Sequence, residues 1–285
     1  MNIVANKWVK PLVTLVFLFF VVWLSPNSSI DPWNLIIPKK VTTMIFALAL
    51  IQVLGSAMAQ ILGAKSGAIL TGFFSGLISS TATTASLARK SKSSPSEKNS
   101  VEFLTFLSAT GAMFFEGVSI LLIGTNDVHL SLVLFFVGPI LATAVMILFQ
   151  LRNVTPKTLK HEPLDFNVLP ILKLSAFILS ILVSSRILQK YFGQQGVLVL
   201  TFLVSLFEVH GSVIANVQLH DAGAFGVRFL GSLLAVSVAA SYTSKLFLIF
   251  TFGSSSLLRL ALKSGVLLFS SLSASWLIFL FFATN

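Results

Sequence analysis

Apolar runs of a helix's length recur from end to end of this chain, separated only by short clusters of turn-forming and charged residues, and no other feature restricts its fold so tightly. The runs lie near residues 8–25, 40–62, 66–88, 101–124, 129–151, 168–189, 196–218, 224–243 and 257–283. Each is close to the roughly 20 residues with which a helix crosses the hydrocarbon core of a bilayer. Only 10% of the residues are charged while 55% are hydrophobic, and the mean hydropathy is +0.95. A soluble domain carries about a quarter charged residues, so this chain has too few polar side chains to cover a water-facing surface. The expected fold is an all-α polytopic membrane helix bundle of about nine transmembrane helices, with no separate soluble domain.

The 19 Lys and Arg outnumber the 9 Asp and Glu, for a formal net charge of +10. In a membrane protein this excess records which connections stay in the cytoplasm, and it gives no support to a nucleic-acid partner. Arg89, Lys90, Lys92 and Lys98 cluster in one connection, and Arg152, Lys157 and Lys160 in another. Both belong in the cytoplasm of a bacterial inner membrane. Counting nine spans outward from them leaves the N-terminus outside and the C-terminus inside, with Lys7 and Lys10 on the outer side against the general trend. The first run reads as a retained helix rather than a signal peptide, because no small-residue cleavage site follows it. With no cysteine, disulfides, thiolate metal sites and cysteine nucleophiles are excluded.

An internal repeat organises the rest. Residues 61–90 can be laid over residues 191–219, with Gly63 matching Gly193 and Thr71 matching Thr201. The expected division is a leading helix and connection (1–39), a first four-helix repeat (40–152), a cytoplasmic linker (153–166) and a second four-helix repeat (167–285). Four spans is an even number, so the copies are expected to be parallel.

Polar residues within the runs carry what functional information there is. Gly63, Gly67, Gly72, Ser75 and Gly76 are spaced for close helix packing. The hydroxyls of Ser79, Ser80, Thr81, Thr83 and Thr84 surround the helix instead of marking one face, which suits a broken helix lining a polar cavity. Glu208, His210 and Asn216 stand at the corresponding depth of the second repeat. Polar interruptions at matching places in two halves point to a transporter binding site, so these eight residues are the candidate substrate contacts. Glu208 is the candidate ligand for a bound divalent cation, since carboxylate and hydroxyl oxygens suit one. Glu116 and Arg228 follow the polar segment of their own repeats and are expected to form a gating or structural ion pair, because either charge buried alone is costly.

Weaker candidates are Glu102 as an interfacial group, Lys173, Arg186 and Lys245 as snorkelling side chains, and Arg259 with Lys263 as a lipid or anion contact. His129, His161 and His220 fall in connections. No phosphate-cradling loop, HExxH or GxSxG motif occurs, and no enzyme activity is expected.

The segment DPWNLIIPKK, followed by LGAKSGAILTGFFSGLISSTATTASLARKSK, resembles the multi-span domain of unknown function that is fused to, or related to, MgtC/SapB membrane proteins. Residues 75–89 match its Gly-Gly-Leu-x-Ser-Ser-Thr-Ala run ending in Leu-Ala-Arg, with Ser75 in place of the first glycine. The resemblance implies membrane localisation, an acidic and a second polar group near Glu208 and His210, and a link to magnesium or to regulation of membrane energetics. It also implies a basic residue where Glu116 stands. The leading expectation is therefore a carrier of a small ion or solute, magnesium first, with its site between the repeats. The alternatives are a regulator that docks on a membrane partner or on a second copy of itself, and a lipid-handling protein.

Overall fold

The computed structural model describes residues 3–31, 36–62, 67–93, 99–124, 130–152 and 168–282. Among these the chain forms nine helices: α1 Ile3–Leu24, α2 Pro38–Leu62, α3 Ala68–Ser93, α4 Ser100–Gly124, α5 Leu130–Leu151, α6 Val168–Ser205, α7 Val209–Asp221, α8 Val227–Phe252 and α9 Ser255–Phe282. Six of them, α2, α3, α4, α5, α8 and α9, contain stretches long and apolar enough to cross a membrane. The protein is a multi-pass membrane protein. Rows of exposed Leu, Val, Ile and Phe on α1, α5 and α9 present apolar surface outward, as lipid contact requires.

Helix α4 measures depth within the bundle, because it spans about 37 Å from end to end. Both ends of α3 sit at its beginning. Ala68 packs with Leu104 and Val101, while Lys90 Nζ lies 3.9 Å from Glu102 Oε1. A straight helix would separate residues 68 and 90 by about 33 Å, so α3 folds back on itself. The reversal is at Ser79, whose backbone leaves the helical region (φ −168°, ψ 104°). Close approach of the incoming arm depends on glycine: a Cβ on Gly72 would strike the Thr105 carbonyl and Ser108, and one on Gly76 would strike Ala109 and Ala112.

A second reversal is built from α6 and α7. At Gly193 (φ 62°, ψ −150°) the chain turns so sharply that Gly196 lies against the Leu188 carbonyl. It turns again between residues 205 and 209. The Thr201 hydroxyl then donates to Asn216 Oδ1 at 3.3 Å, although a continuous helix would hold these residues about 22 Å apart. This hairpin enters and leaves at the other end of α4. The Gln189 side-chain amide donates to the Ala224 carbonyl, Lys40 pairs with Asp221 at 2.7 Å, and Val217 packs beside Gly124.

The segments read from the sequence as full-length spans at 66–88 and 196–218 are thus hairpins that reach in and return. Their packing is reciprocal. Helix α3 lies on α4 and on α8, while α7 lies on α8 and on α4, and α5 packs against α9. Helices α4 and α7 supply much of the centre, and eleven of the thirteen α7 residues, Val209 to Leu219, are buried.

Candidate functional site

Each hairpin tip carries an extended residue that caps the following helical arm. Ser79 Oγ accepts from the Ala82 backbone N–H at 3.2 Å, and Glu208 Oε1 accepts from the His210 backbone N–H at 3.0 Å. Both are N-cap bonds that satisfy donors left open at a helix start. Glu208 has φ −146° and ψ 99°, close to the conformation of Ser79. From Ala68 to Ser79 is about 16 Å of helix and from Glu208 to Asp221 about 20 Å, so each arm is shorter than the roughly 30 Å of a bilayer's hydrocarbon core.

Glu116 of α4 faces the tip of the second hairpin. It is 1% exposed, and its Oε2 lies 3.0 Å from His210 Nε2. The ring N–H is not aimed along that line, so the contact is electrostatic rather than a formed hydrogen bond. His210 Nδ1 is 3.3 Å from Glu208 Oε1, and the imidazole therefore stands between two carboxylates. Among the described residues, Glu116 Oε1 and, on the α6 and α7 arms, Ser205 Oγ, Ser212 Oγ and Asn216 Nδ2 are buried with no hydrogen-bond partner. Orphaned polar atoms are rare in protein interiors, and here several gather about one helix terminus.

The buried cation of this region is Lys245. It lies in α8 with no exposed surface and donates to Ser241 Oγ at 2.8 Å and Met113 Sδ at 3.2 Å. Met113 is one turn before Glu116, and Lys245 is within electrostatic reach of both Glu116 and Glu208. Arg228, expected from the sequence to pair with Glu116, is instead exposed near the start of α8, and Glu116 meets His210. The snorkelling expected of Lys245 does not occur: it is seven residues short of the end of α8, and α4 covers it.

The other anticipated residues are distributed as follows. Ser80 and Thr84 are buried, with the Thr84 hydroxyl donating to the Ser80 carbonyl at 2.8 Å. Thr81 and Thr83 are half-buried on the returning arm of α3. That arm packs on α4 and α8, while Glu208 is linked to Glu116 of α4 through His210. Glu102 is buried in the first turn of α4, beside Lys90. Arg186 is half-buried beside Gln189, while Arg259 and Lys263 are exposed on α9. His220 bonds the Phe225 carbonyl. Lys173, His129 and His161 lie outside the residues whose side chains are described. Among the described residues no three His, Cys, Asp or Glu side chains converge as a metal cage.

Lys245 was legible in one respect. It is 129 residues beyond Glu116, the interval that also separates Ser79 from Glu208, so the repeat register, shifted by one from the glycine match, singles it out. No curated protein and no solved structure matches the chain. A family model does match, over residues 47–253, and the chain belongs to that family, described as a domain of unknown function (DUF4010).

Proposed function

We propose that the protein is a secondary carrier of a small ion or solute, built from two inverted repeats. Each repeat comprises a crossing helix, a re-entrant hairpin and two further crossing helices. The first is α2 to α5, and the second runs from α6 to α9. Three crossings per repeat is an odd number, so the second copy runs through the membrane in the opposite sense, unlike the parallel arrangement suggested by counting four spans. The observation that carries this is the pair of hairpins, each broken by a capped turn and each entering from a different end of α4. Discontinuous helices with their N-termini at the midplane are the structural basis of many carrier sites.

Charge distribution supports the same topology. With α1 leading to the end of the bundle where α2 begins, the N-terminus and the connections after α2, α3 and α5 share one face. That face receives Lys7, Lys10, Lys65, Arg89, Lys90, Lys92, Lys98, Arg152, Lys157 and Lys160, and the other receives Lys39, Lys40, Arg186, Lys190 and Arg228. The richer face is cytoplasmic by the positive-inside rule. The N-terminus is then inside and the C-terminus outside, and Lys7 and Lys10 no longer oppose the trend.

Liposomes containing the purified protein test the carrier. Panels of labelled ions and small metabolites are expected to include one whose saturable flux is lost in Glu116→Gln and Glu208→Gln while both variants elute as the wild type does. Saturable flux for none of them would count against transport. Magnesium belongs in the panel on the strength of its oxygen chemistry and of the MgtC/SapB resemblance, although the enclosed Lys245 opposes a divalent charge at this site.

A further inference from the structure

We propose that the cluster of Glu116, Glu208, His210 and Lys245 exchanges one proton for one monovalent cation. This deepens the carrier reading and rests on it. The starting point is His210, whose two ring nitrogens lie 3.0 Å and 3.3 Å from different carboxylates. Only an imidazole protonated on both nitrogens sets positive charge against both carboxylates; the neutral ring turns one lone pair toward a carboxylate, a repulsive contact.

The charged groups facing His210 from each neighbouring element are few. Helix α4 supplies Glu116 and the turn before α7 supplies Glu208, while Lys245 of α8 acts on those two carboxylates and not on the ring directly. The α6 arm supplies the hydroxyls of Thr201 and Ser205, and the α2 residue Lys40 is engaged with Asp221 at the far end of α7. With His210 protonated the two carboxylates and two cations balance. Release of the His210 proton leaves a net charge of minus one in a buried site, which is unfavourable unless neutralised. A monovalent cation restores the balance, and a divalent one overshoots it.

Hard oxygens are on hand to receive that cation. Glu116 Oε1, Ser205 Oγ and Ser212 Oγ are buried and otherwise unpartnered. The cycle conserves charge: His210 gives its proton to one side, a monovalent cation enters, and on the opposite side the cation leaves as a proton returns. Lys245 acts as the fixed counter-charge that sets the exchange at one for one.

Liposomes holding the protein and an internal pH-sensitive dye provide the test. Adding external Na⁺, K⁺ or Li⁺ is expected to make the lumen more alkaline for at least one of these ions, equally with and without an imposed membrane potential. Mg²⁺ is expected to give no response. Glu116→Gln and His210→Gln should reduce the signal to that of protein-free liposomes. If no monovalent cation alkalinises the lumen of wild-type liposomes, or if Mg²⁺ does so as well as they do, the proposal is overturned. Glu116-dependent flux of some other solute in those same liposomes would leave the carrier standing and remove only the cation-proton exchange.

Discussion

At the scale of single residues, the interior of this protein is governed by the difficulty of enclosing one charge without another. Glu116 and Lys245 are 1% and 0% exposed, on helices from different repeats, and His210 and Glu208 complete the set. Removing one partner of a buried charged group costs about 3–5 kcal/mol, because the remaining charge is left uncompensated. Glu116→Gln and Lys245→Met are each expected to lower stability by that order in detergent. The double variant should recover part of the loss, with a coupling of about 1–2 kcal/mol. Denaturant unfolding of the four species measures it; strictly additive losses would mean that the two side chains do not sense each other.

Helical elements here are shaped as much by where they stop as by where they run. Gly193 combines a positive φ with ψ near −150°, a region nearly closed to residues with a Cβ. Gly193→Ala should therefore cost about 1–3 kcal/mol. Gly67 is exposed with open space around it, and Gly67→Ala should stay within about 0.5 kcal/mol. Comparing their melting temperatures separates backbone strain from a general loss of glycine. Gly76 reports on the other hairpin, since a side chain there meets the α4 backbone at Ala109. Gly76→Val is expected to destabilise by about 1–3 kcal/mol through overpacking, and a melting temperature equal to the wild type would argue against that close approach.

For the whole molecule the decisive property is the sense in which each hairpin enters the membrane. The absence of native cysteine makes single-cysteine labelling direct. Gly67→Cys and Lys92→Cys, flanking α3, should react with a membrane-impermeant maleimide from the same side. Gln194→Cys and Arg228→Cys, flanking the second hairpin, should react from the opposite side. Labelling of Gly67→Cys and Lys92→Cys from different sides would restore a full-length third span and dismiss the inverted repeats. Part of this architecture could be read in advance: the helical runs, and polarity concentrated at Ser79 to Thr84 and at Glu208 to Asn216. The break at Ser79 falls within the hydroxyl run that suits a broken helix, but the reversals could not be read, because the 26 residues of α3 satisfy a crossing helix and a hairpin equally well by length.

Composition and residue order dictate that this chain enters a bilayer as helices and that its polar atoms cluster at two matching depths. Those properties follow from the transfer free energy of each segment, which is local and additive along the chain. The choice between crossing and returning, and the choice of His210 over Arg228 as the neighbour of Glu116, belong to the tertiary structure. Each depends on which surfaces meet: Gly72 and Gly76 hold one arm to α4, Thr201 and Asn216 hold the other hairpin closed, and α4 covers the lysine. Contacts between residues from 15 to 132 positions apart set these outcomes, so the linear spacing of charges alone leads to a different pair.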